Sequence, residues 1–311
     1  MKKIIIDCVP GHDDAIAILT AYANSSLLQI LGITTVCGNQ TIEKVSINAL
    51  KIVDLLNCNI PVSIGADKPL KRLPEPQPLA HGLSGMDGPM LPNPKSKPTG
   101  LSAVQWLKNC LSCNDKVSLV CLGPLTNIAS LLTLYPELKN KIEEIVLMGG
   151  SIYSGIIQVK SEFNLYHDPD AAKIVFNSKI PLTMAPIEVC DSGGFDLKDI
   201  EKFKSCGKIS QFVYDLLKFY RNYSIEHNLS TTTIFDLTPI VYLLHPEYFK
   251  SQLMNVDIEL DGQYTRGMSV CEQISAYSLI NNPINVLINV DRKLHNKLFI
   301  DAVASLDAKG I

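Results

Sequence analysis

The feature that most limits how this chain can fold is a steady alternation of short apolar runs with amphipathic stretches of helical period. KIIID (3–7) reads as a buried strand and DDAIAILTAYA (13–23) as a helix. LLQILGITTV (27–36) is a second strand, TIEKVSINALKIVDLLN (41–57) a second helix, and IPVSIGA (60–66) a third strand. Strand–helix–strand order needs crossover connections, and continuous apolar strands need cover on both sides. The pattern therefore predicts an α/β fold with a mostly parallel central sheet, Rossmann-like and open, and helices on both faces. Residues 68–99 break the rhythm as a long Pro- and Gly-rich loop containing HGLSGMDG, a composition that an ordinary linker does not need. The alternation then resumes with a helix around SAVQWLKNCL, strands at 116–122 and 142–150 separated by the helix LTNIASLLTLY, and a helix over 168–178. A strand over 180–189, a long helix over 208–226, a helix after Asp236 as N-cap, and strands at 256–260 and 284–290 before a closing helix complete the reading. No repeat or linker interrupts it, so a single domain over 1–311 is expected.

The bulk properties exclude several partners. A formal net charge of −3 and a pI near 6.1 offer no concentrated positive face for nucleic acid or a membrane surface. No segment reaches about 18 uncharged apolar residues, and Asp7 cuts the N-terminal apolar run too short for a signal peptide. Nine cysteines, several inside apolar runs, fit reduced thiols in a cytoplasmic protein better than a disulfide framework. Cys110 and Cys113 form a lone C-x-x-C without a second pair or a nearby histidine, which reads as a helix-end coincidence.

Chemistry is expected beyond the carboxyl ends of the parallel strands. After the first strand come Asp7, Asp13 and Asp14 in DCVPGHDDA; after the second, GNQ with Asn39; after the next two, GPLTN and MGG, then EFN. Asp13 and Asp14 could simply sit at a helix start, where the dipole favours each by about 0.3–1 kcal/mol. The alternative is a hard cation held by oxygen ligands, with Asp236 completing the site.

These blocks resemble the inosine–uridine nucleoside hydrolases. DCVPGHDDA is similar to that family's D-x-D-P-G-x-D-D signature, and ITTVCGNQT, HGLSGMDGP, GPLTNIA, IVLMGG, EFNLYHDPDAA and the Asp236 segment recur in the family's order over essentially the whole chain. The likeness is strongest to bacterial pyrimidine-preferring members. It implies hydrolysis of the N-glycosidic bond of ribonucleosides to ribose and free base. It also implies Ca²⁺ at the bottom of a pocket, holding the ribose 2′- and 3′-hydroxyls and a water that an aspartate activates for attack on C1′ through an oxocarbenium-like transition state. By position, Asp14, Asp236 and the backbone carbonyl of Leu122 would be metal ligands. Asp13, Asn39, Glu162 and Asn164 would bind ribose hydroxyls, with Asp13 and Asp14 at the reacting centre. Met148 would lie against the sugar, His81 and Tyr223 around the leaving base, and Asp7 would support the loop. The resemblance further implies a homo-oligomer, dimer or tetramer. Taken singly, His81 could serve loop backbone, Asn39 could cap the helix at 41, and Tyr223 could be core or surface.

The chain also departs from the family pattern. Val9 stands where the family has the aspartate that is both calcium ligand and general base. Ile156 replaces an asparagine offered to ribose, and Phe235 a histidine that assists the leaving base. In PIEVCDS (186–192), Glu188 stands for an aspartate and Asp191 for a histidine. Two readings follow: a nucleoside N-ribohydrolase of reduced or altered activity, or a non-catalytic homologue that binds nucleoside or ribose or acts as an assembly partner.

Overall fold

In the computed structural model of the chain, the residues described are 1–74, 81–153, 161–226 and 230–311, without the side chain of Tyr223. Nine strands form one sheet in the order β3-β2-β1-β4-β5-β6-β9-β7-β8. They are β1 (Lys2–Cys8), β2 (Leu28–Thr35), β3 (Val62–Ile64), β4 (Val117–Cys121), β5 (Ile142–Met148), β6 (Leu182–Ala185), β7 (Phe249–Ile258), β8 (Ser269–Gln273) and β9 (Pro283–Val290). Pairing is parallel from β3 through β9, whereas β7 runs antiparallel to both its neighbours. The expected mostly parallel α/β sheet is what the chain forms.

Side chains of successive strand residues point to opposite faces. Ile4, Ile6 and Cys8 accordingly enter one core cluster and Ile5 the other. The first face is covered by α1 (His12–Ala23), α2 (Ile42–Leu55) and the C-terminal helices; the second by α3 (Ala103–Cys113), α4 (Thr126–Leu134) and the helix Pro169–Phe176. Among the described residues no helix is long and apolar enough to cross a membrane. All nine cysteines are free; Cys110 and Cys113 lie on α3, the second at its last residue.

The structure corrects the sequence reading in three places. The strand expected over 180–189 ends at Ala185, and Pro186 starts a short helix, Ile187–Ser192. The ring of Pro186 fixes φ near its helical value and supplies no ladder donor, so an unbroken apolar run still changes structure there. The strand expected at 256–260 begins seven residues earlier, at Phe249. Asp236 does precede a helix, Leu237–Leu244, but its side chain makes no cap bond and its backbone is already helical. Its carboxylate is used elsewhere.

Sheet register brings the motifs to one edge. Asp7 pairs with Thr34 of β2 and Cys121 of β4, and Cys121 pairs with Leu147 of β5. The segments that follow, Val9–Gly11, Asn39, Leu122 and Met148, therefore leave the sheet side by side.

Candidate active site

The acid motif turns tightly out of β1 into α1. Asp14 folds back on the turn: its two carboxylate oxygens accept from the backbone N–H groups of Val9 and Gly11, each at 3.0 Å. An N3 carboxylate thus satisfies donors that the start of the helix would leave unpaired. Asp13 stands beside it, and Asp236 reaches in from the start of Leu237–Leu244. One carboxylate oxygen from each of Asp13, Asp14 and Asp236 lies within 4.8 Å of the others, and all three residues are buried.

Burial raises all three acids above the ordinary carboxylate range, and mutual repulsion adds to the rise for Asp13 and Asp236. Asp13 Oδ1 is buried without a hydrogen-bond partner among the described residues. Such a group is costly unless a cation or a proton meets it. The donor set, carboxylate oxygens with the main-chain carbonyl of Leu122 at the neighbouring strand end, suits a hard divalent cation.

The remaining predicted residues surround this cluster in different ways. Glu162 caps the helix Phe163–His167, accepting from the backbone of Asn164 (2.7 Å) and Leu165 (3.1 Å), and also from Gly150 (3.0 Å). Burial nevertheless pushes it up to about 7, and its charge is felt by Asp236. Asn164 Nδ2 donates to the carbonyls of Leu122 (3.4 Å) and Met148 (3.2 Å), tying the ends of β4 and β5 together. Asn39 does not cap α2; its Nδ2 donates to the Val9 carbonyl at 3.3 Å. His81 is buried beside Gly11 and Asn39: a Cβ on Gly11 would meet His81 Nδ1 at 2.7 Å and Asn39 Nδ2 at 3.0 Å. Tyr223 belongs to the long helix α5 (Lys208–Glu226), but its side chain and the whole of Ile156 lie outside the described residues.

Asp7 is built into the sheet. Its Oδ1 accepts from Thr34 and, at 2.8 Å, from Asn127, which also donates to the Thr35 carbonyl and accepts from the Ala66 N–H. Burial lifts the Asp7 carboxyl to about 7.

Val9 is buried in a small apolar cluster with Val36, Cys37, Ile42 and Val45. Glycines wall it in: a Cβ on Gly38 or on Gly123 would approach Val9 Cγ1 to 2.8 Å. Phe235 packs against the main core. Glu188 accepts from the backbone N–H groups of Ile152 and Tyr153, and Asp191 from the Thr233 hydroxyl at 2.7 Å.

Several residues here escape sequence reasoning. His12, the variable position of the acid motif, contacts His81 and the Asp87 carbonyl and stacks on Phe219 and Tyr220. Burial holds His12 down at about 4 and His81 at about 3. The HGLSGMDG loop is folded by Asp87, which accepts from the backbone of Leu83 and Ser84. Gly82, at φ +77°, is needed there, because a Cβ would lie 2.2 Å from the Asp87 carboxylate. Asn48 pins the loop to the acid motif, donating to Pro10 and Ser84 carbonyls, each at 3.0 Å.

Comparison with known proteins agrees with this arrangement. The profile of the inosine-uridine preferring nucleoside hydrolase family matches residues 4–297. A pyrimidine-specific ribonucleoside hydrolase of Escherichia coli O81 (strain ED1a) is 41% identical over 297 residues, covering 93% of this chain and 94% of that one. Among solved structures, a purine-preferring ribonucleoside hydrolase from Gardnerella vaginalis superposes with a TM-score of 0.91 at 28% identity, covering 98% of this chain and 99% of the other. An inosine-guanosine nucleoside hydrolase does so with a TM-score of 0.89 at 26% identity over 99% of each chain. Sequence, fold and strand-edge acids together place the chain in the inosine–uridine preferring nucleoside hydrolase family.

Proposed function

We propose that this chain binds pyrimidine ribonucleosides at the β1–β4–β5 edge and hydrolyses their N-glycosidic bond to ribose and free base, at a rate reduced by the valine at position 9. The observation that carries the reading is the buried triad Asp13, Asp14 and Asp236, whose clustering needs a counter-charge. Ca²⁺ is the cation this oxygen set suits, with Asp14, Asp236 and the Leu122 carbonyl as its protein ligands and Asp13 within reach. Held by these residues, such an ion would supply electrostatic stabilisation for a bound ribose.

The chain's own residues supply the rest. Asn39, Glu162 and Asn164 hold ribose hydroxyls, and Met148 packs on the sugar. His81 and Tyr223 flank the leaving base. Val9 cannot take a proton from water. Of the nearby acids, Asp7 and Asp13 each have one buried oxygen without a partner among the described residues, but Asp7 is tied into the sheet by Thr34 and Asn127 whereas Asp13 stands in the triad with Asp14 and Asp236, so Asp13 is the residue that accepts the proton. General-base assistance is worth about 10²–10⁴ in rate, which sets the scale of the handicap.

The second reading, a nucleoside- or ribose-binding homologue without turnover, is favoured by the packing of Val9 into an apolar cluster. Resemblance and the free thiols support a single-domain cytoplasmic protein acting as a homo-oligomer, dimer or tetramer. The test is ribose release from uridine, cytidine and inosine with added Ca²⁺. Slow but measurable release, greatest from the pyrimidines, is expected. Rates equal to those of the family's aspartate-bearing members would refute the handicap, and ribonucleoside binding without release would establish the second reading.

A further inference from the structure

His12 has no part in the reaction as proposed, yet it is fully buried at the first turn of α1. Its ring stacks on Phe219 and Tyr220 of α5, with centroids 5.1 and 5.4 Å away and planes 9° and 10° apart. Its nitrogens face two different partners. Nε2 lies 2.7 Å from the main-chain carbonyl oxygen of Asp87. A carbonyl can only accept, so Nε2 carries the hydrogen. Nδ1 lies 3.4 Å from Nδ1 of His81.

The second imidazole is equally enclosed, 6% exposed and with its ring centroid 5.6 Å from that of Tyr220. No carboxylate oxygen bonds either ring among the described residues, so both rings are most stable neutral. A neutral His12 that donates from Nε2 presents a lone pair at Nδ1. Two facing lone pairs repel, so the hydrogen between the rings sits on His81 Nδ1. His81 Nε2 is left as a lone-pair acceptor, with no hydrogen-bond partner among the described residues. The ring lies against Gly11 of the acid motif, where a Cβ would meet its Nδ1 at 2.7 Å.

We propose that His12 is a positioning residue that locks His81 in its Nδ1–H tautomer, so that His81 Nε2 accepts a hydrogen bond from an O–H or N–H group of the bound nucleoside. The ligand in this statement rests on the functional reading above; the tautomer is a property of the free protein. His81 then orients substrate and does not donate a proton to the departing base. Besides the 2′- and 3′-hydroxyls, uridine carries two donors with this chemistry, the sugar 5′-hydroxyl and the N3–H of the base.

The tautomer is read by ¹⁵N NMR of the full chain labelled at histidine. The expected result is a pyridine-type Nε2 and pyrrole-type Nδ1 on His81, with the reverse on His12. His12→Phe keeps the stack on Phe219 and Tyr220 but deletes both nitrogens, and should shift His81 toward the other tautomer. His12→Asn returns an amide oxygen near the Nδ1 position and should restore it. A pyrrole-type His81 Nε2 in the unaltered protein, or an unchanged His81 in His12→Phe, overturns the proposal. Should His12→Phe fail to fold, the unaltered protein still decides the tautomer. The donor is identified by calorimetry with uridine, 5′-deoxyuridine and N3-methyluridine. One analogue should bind about 3- to 10-fold more weakly than uridine, the scale of one lost hydrogen bond, and His12→Phe should erase the difference. Equal affinity for all three, or no binding of uridine, overturns the donor assignment. Neither calorimetric outcome alters the tautomer result, so failure of the functional reading is distinguishable from failure of this one.

Discussion

Val9→Asp is the perturbation that separates a handicapped hydrolase from one limited elsewhere. Valine and aspartate have similar shapes, so the change overfills nothing between Gly38 and Gly123. It does replace a side chain that is 1% exposed by a charged one. Losing the apolar burial costs about 1.5–3 kcal/mol. Leaving a polar group imperfectly paired in its place costs about 1–3 kcal/mol more. In chelator the variant should therefore be less stable by about 2.5–6 kcal/mol; at about 2 °C per kcal/mol for a chain of this size, its melting point should fall by about 5–12 °C. A cation that gains a ligand offsets this. At a hundred times its Kd it returns about 2.7 kcal/mol. The melting difference between Ca²⁺ and chelator should consequently be larger for Val9→Asp than for the unaltered chain. Ribose release from saturating uridine should rise by about 10²–10⁴ if the new carboxylate takes the proton. The two assays are run on the same samples. A folded, Ca²⁺-responsive Val9→Asp protein whose kcat stays within about threefold of the parent would refute the reasoning.

Other outcomes test other parts of the site. Asp236→Asn removes one of three mutually repelling acids, so in chelator its melting point should rise by about 2–5 °C, while the Ca²⁺-induced rise disappears; thermal melts in both conditions check it. Asp7 and Glu162 are both raised to about 7 by burial, so the stability they confer is present below their unfolded values and is lost as pH rises through 7. Denaturant titrations in chelator should show stability falling from pH 6 to pH 8, and a rise over that interval would contradict the burial of these acids. His295, buried and held down at about 4, works in the other direction. Its contribution is present above 6.5 and is lost as pH falls through 4, and His295→Leu should flatten that acid limb in the same titrations. Asn127→Ala removes one of the two donors to Asp7 Oδ1 and the side-chain partner of the Thr35 carbonyl and the Ala66 N–H, and should cost about 3 kcal/mol by urea unfolding.

Most of the sheet was legible because strands covered on both faces are apolar without interruption, as KIIID and KVSLVCL are. β8 was not. SVCEQ is short and polar, and it persists because it pairs with β7 and because Ser269 bonds the backbone of Ser151 more than a hundred residues away. The run IPLTMAPIEV misled for the opposite reason: its hydrophobicity is continuous, but Pro186 ends the strand within it. The acids of the site were legible because a local motif places them at a helix start beyond a strand. Their packing was not, since a sequence does not reveal that Asp236 turns away from capping its own helix to meet Asp14. The environment of Val9 depends on glycines at 38 and 123, and the His12–His81 pair joins residues 69 positions apart. Neither arrangement leaves a periodic signal.

The acid triad also has a history within each molecule. Asp13 and Asp14 are made first, and Asp236 follows more than two hundred residues later. Until then the early pair faces no third carboxylate, and charges in water cost each other little. The repulsion of a third carboxylate is added only once Asp236 has been made and joins them. A cation held by the three acids would offset that repulsion as soon as they meet, before any nucleoside has been bound.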